Sequence, residues 1–90
     1  MREILITNPF KKDQKKAKIN PRQDTDKLLF AIEILATQGQ LPEEYLPHSL
    51  SGNRMLKWEC HIQPNFLLIY EVTEYVLRLE RCGNHSDLFK

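Results

Sequence analysis

His48, His61, His85 and Arg81 are the residues of this chain best suited to move protons and hold a phosphate, and all four lie in its second half. An imidazole titrates near neutral pH, so it can serve as base or acid in one reaction. A guanidinium stays charged and offers a fork of donors to a carboxylate or phosphate. Together they could cleave RNA through its own 2′-hydroxyl. A base removes the 2′ proton, an acid protonates the leaving 5′ oxygen, and a cation stabilises the crowded phosphate. That scheme requires no metal or other cofactor. Competing chemistries fit less well. No HxxxH, HExxH or CxxC spacing offers a metal site. His48-Ser49 and His85-Ser86 are sequence neighbours without a GxSxG turn. A phosphate-cradling glycine loop is absent. Cys60 and His61 alternate along a strand and face opposite ways, which argues against a joint Cys-His site.

The elements that must position these residues follow from periodicity. Glu3 to Thr7 is a short β-type run, and Asn8-Pro9 supplies a cap and a first-turn proline. From Phe10 to Lys18 the apolar content suits a surface helix, with Phe10, Gln14 and Ala17 on one stripe and lysines elsewhere. Asn20-Pro21 ends it, and Asp24 or Thr25 caps a core helix carrying Leu28, Leu29, Ile32, Leu35 and Ala36 at helical spacing. Gly39 stops that helix, and GQLPEEYLPHSLSGN (39–53) reads as a long ordered loop holding His48. From Leu56 the period becomes two. Leu56, Trp58, Cys60 and Ile62 alternate with Lys57, Glu59 and His61, Pro64-Asn65 turns the chain into FLLIYEV, and Thr73-Glu74 turns it into YVLRLERC. Trp58 alternates with Leu56 and Ile62 as a core residue. The expected fold is α+β: a strand, two helices, then a three-stranded antiparallel meander with the helices packed on one sheet face.

Alternation along the last strand places Tyr75, Leu77, Leu79 and Arg81 on one face. Arg81 then either snorkels into solvent where the core stops or holds an anion at the sheet rim. His61 and His85 approach the same end of the sheet only when the tail folds back, and Phe89, an apolar ring beside the C-terminus, is the residue that could anchor the return.

Ninety residues amount to one domain, 1–90, and the 41% apolar and 28% charged fractions suit a folded globular chain. The net charge of +1 conceals a segregation. Residues 1 to 22 carry seven Lys and Arg against two acids, whereas residues 23 to 90 carry six against ten. Such asymmetry argues for a polyanion partner. Two cysteines are too few for a disulfide framework, Phe66 to Tyr70 is too short to span a bilayer, and MREILIT does not read as a signal peptide. These features suggest a cytoplasmic protein with free thiols.

The tail R-x-G-x-H-x-x-L-F (Arg81, Gly83, His85, Leu88, Phe89), the preceding LLIYEVTEYVLRLER, the H-I-x-P of His61 to Pro64 and the PHSLSG of Pro47 to Gly52 resemble the YafQ branch of the RelE/ParE toxin superfamily. The first half agrees in layout and lysine placement. The resemblance implies the toxin of a type II toxin-antitoxin system, a ribosome-dependent endoribonuclease that cuts mRNA in the decoding site. It implies a monomer when free and a hetero-oligomer with a cognate antitoxin. His48, His61, Arg81, His85 and Phe89 fall on family active-site positions. His61 and His85 would be acid/base or transition-state groups, Arg81 the phosphate clamp, and Phe89 a stacking or positioning group. Lys11, Lys12, Lys15, Lys16 and Lys18 would meet ribosomal RNA, or form a solvated helix face.

This chain departs from the family pattern at two places. Asn65 stands where the family typically has an Asp, and an amide cannot act as a general base, so that proton transfer must move or weaken. Lys57-Trp58 replaces an aromatic-Arg pair. These departures leave room for a non-nucleolytic toxin-fold module, either a ParE-like topoisomerase inhibitor or a weakened toxin acting through antitoxin binding.

Overall fold

Eight elements follow one another in the computed structural model, which describes residues 1–50 and 57–89. Leu56, expected to open the meander, and Ser51, Gly52 and Asn53 of the loop lie outside the described residues. The elements are β1 (Glu3–Ile6), α1 (Asn8–Ile19), α2 (Thr25–Gln38), β2 (His48–Ser49), β3 (Lys57–Gln63), β4 (Phe66–Val72), β5 (Val76–Gly83) and α3 (His85–Leu88). The strands form one sheet in the order β1-β5-β4-β3-β2. The expected meander is β3 to β5, antiparallel throughout, while β1 joins β5 in parallel and β2 pairs antiparallel with β3. The fold is α+β, with a mixed five-stranded sheet in place of an isolated meander. Part of the expected long loop is therefore a strand, and the tail is a short helix.

The core lies between the two long helices and one sheet face. Phe10 and Ala17 of α1 and Leu28, Ala31, Ile32, Leu35 and Ala36 of α2 cover Cys60, Ile62, Leu68, Tyr70, Leu77, Leu79 and Cys82. Trp58 packs partly buried against this cluster, as its alternation predicts. Leu29 does not belong to it: the side chain is 52% exposed, because at about 100° per residue it falls outside the buried stripe centred on Leu28, Ile32 and Leu35. At the end of α2, Gly39 adopts a left-handed φ of 78°, and a Cβ there would run into the Arg2 guanidinium.

Thr7, rather than the expected Asn8, caps α1. Its hydroxyl accepts from the Phe10 N–H at 3.1 Å and donates to the Glu80 carbonyl at 2.8 Å, while its own N–H reaches the Leu79 carbonyl at 3.2 Å. One residue thus satisfies an orphan helix donor and two acceptors on β5 beyond the end of β1. Asp24 caps α2 as expected, accepting from Asp26 and Lys27 N–H, both at 3.1 Å.

The face of Arg81 needs correction. Ile69 pairs with Arg81 but Tyr70 pairs with Leu79, so Glu80 is an extra residue in β5. This bulge reverses the alternation. Leu77, Leu79 and Cys82 stay in the core, and Arg81 turns to the sheet face away from it. Among the described residues no helix is long and apolar enough to cross a membrane.

Both cysteines are free and buried, and burial pushes each thiol from 9.0 up to about 12. In the unfolded chain the thiols ionise from about pH 9, whereas in the fold they stay protonated until about pH 12. Their contribution to stability is therefore complete below pH 9 and lost as pH rises toward 12. The urea midpoint should fall across that interval and flatten in a Cys60→Ala/Cys82→Ala chain. An equal slope in both proteins would remove the thiols from the account.

Candidate functional site

The sheet face opposite the core gathers the residues with chemistry. Register places Lys57, Glu59 and His61 of β3 beside Glu71, Ile69 and Leu67 of β4, and Ile69 and Leu67 beside Arg81 and Gly83 of β5. Residues directly paired across strands share a face, so His61, Leu67 and Gly83 form one row at the end where the tail begins. Leu67 and Ile69 are buried and form the apolar floor.

His48 reaches this face because β2 pairs it with Glu59. Its Nε2 lies 3.3 Å from Glu59 Oε1 and its Nδ1 lies 3.0 Å from the Leu46 carbonyl. Leu46 holds a left-handed φ of 49° that closes the single 3-10 turn before β2. A non-glycine residue in that region is sterically costly, and its carbonyl fixes the imidazole at one end. The His48 and His61 ring centroids are 6.5 Å apart, tilted by 39°. The two histidines are thus brought together although thirteen positions separate them.

Arg81 is held from the other side of the sheet edge. Its Nε donates to Asp13 Oδ2 at 2.6 Å and its Nη2 to Asp13 Oδ1 at 3.1 Å, while the Cys82 N–H donates to Oδ2 at 3.1 Å. Its hydrogen bonds to the Asp13 carboxylate push the Arg81 pKa further up, so the guanidinium stays charged. Asp13 occupies one edge of the fork. The arginine side chain remains 38% exposed, and among the described residues Nη1 has no acceptor.

The tail returns to the sheet through its cap. Asn84 Oδ1 accepts from the Asp87 N–H at 2.8 Å and from the Ser86 hydroxyl at 3.0 Å, and the His85 N–H donates to Asn65 Oδ1 at 3.3 Å. The Phe89 ring stacks at a tilt on His85 with centroids 4.9 Å apart. Phe89 is 42% exposed, so it does not anchor the tail as expected. The hydrogen bond that Asn65 accepts from the His85 N–H secures it, with Asn84 capping α3, and Phe89 packs on His85 instead. Asn65, which the sequence presents as a lost acid, is a tie between the β3–β4 turn and α3.

Lys11, Lys12, Lys15, Lys16 and Lys18 are all exposed along α1, with Phe10 and Ala17 buried beneath them and Gln14 between. Sequence reasoning missed Asp13 and Glu59 as members of the site. Asp13 stands three residues after buried Phe10 and four before buried Ala17, so it was readable as an acid on the inward stripe of a basic helix. Glu59 is the buried charged residue of the strand, and its alternation with His61 was the available signal.

The comparisons with known proteins agree with this fold. The sequence profile described as "Bacterial toxin of type II toxin-antitoxin system, YafQ" matches residues 2–90. The Escherichia coli K12 protein named mRNA interferase toxin YafQ is 34% identical over 98% of this chain and 96% of its own length. A crystal structure of the E. coli DinJ-YafQ complex superposes with a TM-score of 0.90 at 33% identity, covering 100% of each chain. A metal-bound toxin from Helicobacter pylori superposes at 0.88 with 36% identity, over 99% of this chain and 100% of that one. Fold and family match thus define a toxin of the type II toxin-antitoxin class. Within that class, the chain belongs to the YafQ family.

The tie at Asn65 predicts an asymmetry. Asn65→Ala should unprotect the His85 amide in hydrogen exchange and loosen α3, at a cost of about 1 kcal/mol for the lost bond. Asn65→Asp keeps an acceptor and should retain the protection. Equal protection in both variants would show that Asn65 does not hold the tail.

Proposed function

We propose that this chain is an mRNA interferase that cleaves mRNA on the ribosome, with residues 1–90 acting as one cytoplasmic toxin domain, and that a cognate antitoxin silences it. The E. coli relative carries the mRNA interferase name, and its structure is that of a complex with DinJ. The observation that carries the reading for this chain is the shared sheet face: the His48–His61 pair and Arg81 lie there, and the tail with His85 and Phe89 starts from the row of His61.

A strand of mRNA laid across this face would place its scissile phosphate against the free edge of the Arg81 guanidinium. One imidazole takes the 2′ proton as the 2′ oxygen bonds to phosphorus. A second imidazole protonates the 5′ oxygen as its bond to phosphorus breaks, leaving a 2′,3′-cyclic phosphate and a 5′-hydroxyl. His61 and His85 are assigned to proton transfer, His48 assists beside Glu59, and Phe89 stacks on a neighbouring base. No metal takes part in these steps. With an amide at position 65, the histidines carry the whole of the proton transfer, at a reduced rate. The α1 lysines rest on ribosomal RNA phosphates, and the antitoxin covers the site or the basic helix in a hetero-oligomer, the free toxin being a monomer.

A reconstituted translation reaction read by primer extension tests the proposal. Cleavage should require ribosomes, and His85→Ala should slow it by about 10²–10⁴-fold, the usual worth of a positioned acid or base. Replacing Lys11 and Lys15 by Ala should lower the salt slope of ribosome association by about one unit each. The committed amide at Asn65 favours a second reading, a toxin-fold module without nuclease activity that acts by binding its antitoxin or a topoisomerase. Intact mRNA in every lane would select it.

A further inference from the structure

A cleft of about 300 Å³ opens beside the tail, walled by Asn20, Arg22 and Gln23 of the α1–α2 turn, Gln63 at the end of β3, Asn65 of the next turn, Phe66 at the start of β4, and Asn84. Five of these side chains are carboxamides, and in four of them the oxygen is already engaged. Asn20 Oδ1 accepts from the Arg22 N–H at 2.9 Å and Gln63 Oε1 from the Asp24 N–H at 2.8 Å. Asn65 Oδ1 takes the His85 N–H and Asn84 Oδ1 the Asp87 N–H. A backbone N–H can only donate, so each of these four amides has one permitted orientation and its NH2 is the end left over. Among the described residues none of the four amide nitrogens has an acceptor. Arg22 adds an exposed guanidinium, and no carboxylate lines the cleft.

Apart from the Gln23 amide, which offers both a donor and an acceptor, the unspent side-chain groups of these walls are donors. The complementary ligand is one rich in acceptors and negatively charged, and the cleft has room for a single nucleotide. We infer that it is an RNA subsite that takes one phosphodiester and its base next to the reacting phosphate. The ligand identity rests on the RNA-cleaving reading, but binding can be scored without cleavage. Asn65 and Asn84 each hold the tail with their oxygens and leave their NH2 groups unspent, so a nucleotide seated in the cleft adjoins His85. The phosphodiester can belong to the substrate strand or to ribosomal RNA.

Asn20→Asp tests the donors with the fold retained, since the carboxylate still accepts the Arg22 N–H. Paired with Arg22→Gln, it should raise the Kd by about tenfold, the value expected for losing charge-assisted hydrogen bonds. The probes are a 2′-O-methyl trinucleotide, which lacks the attacking hydroxyl, and ribosome co-sedimentation. In the parent chain the Asn20, Gln63 and Asn84 side-chain amide signals should shift as the trinucleotide is added. Weaker trinucleotide binding by the variant assigns the cleft to the substrate strand, and weaker ribosome association alone assigns it to ribosomal RNA. Gln38→Glu with Gln40→Glu, the same total charge change at exposed positions at and just beyond the other end of α2, controls for bulk charge and should alter neither. If the double variant matches the parent in both assays with an unchanged unfolding midpoint, the inference is overturned. A parent that binds the trinucleotide through the cleft yet cuts no mRNA would overturn the nuclease reading instead.

Discussion

The Asp13 carboxylate is the constraint on which the site depends. Three donors converge on it, two from the Arg81 guanidinium and one from the Cys82 backbone. Pairing of β1 with β5 ends at Ile6 and Leu79, so the last residues of β5 have no neighbouring strand on that side. Thr7 and Asp13 supply the missing partners from the start of α1. Removing the carboxylate would strand the N–H of buried Cys82, a cost of about 1–3 kcal/mol. The ionic part of the contact adds less, because solvent screens an arginine exposed to this degree. Its larger effect is geometric: Asp13 fixes one edge of the fork and thereby aims the other.

This contact also makes the basic helix and Arg81 one body. The lysines and Asp13 share α1, so whatever the lysines touch is held in register with Arg81. The opposite side of the site is set by sheet register and by the tail. β2 and β3 bring His48 over Glu59 and toward His61, while Asn65 and Asn84 fix the position of His85. Most of these positions derive from strands and helix caps rather than from long loops, which suits a chemistry that tolerates little misplacement.

Much of this was legible in the sequence because it follows from periodicity. The two long helices, the three meander strands, the Asp24 cap and the opposed directions of Cys60 and His61 are local consequences of residue type. The face of Arg81 was not, because alternation carries no signal for an extra residue, and the Glu80 bulge reverses it. Asn65 was legible only in part. That an amide is no general base follows from residue type, but the Asn65 bond to a backbone N–H twenty residues later is a tertiary fact. Thr7 displaced Asn8 as the cap because it could satisfy β5 as well, a contact no local pattern encodes.

The central claim is that Asp13 acts through Arg81 to place a phosphate-binding edge on the site face. A double-mutant cycle on single-turnover mRNA cleavage tests it most directly, using Asp13→Ala, Arg81→Ala and the pair. If the account holds, Asp13→Ala slows cleavage strongly in the parent but has little further effect once Arg81 is gone, because the two side chains form one device. If the two losses multiply, Asp13 contributes independently of Arg81, and the clamp described here is contradicted.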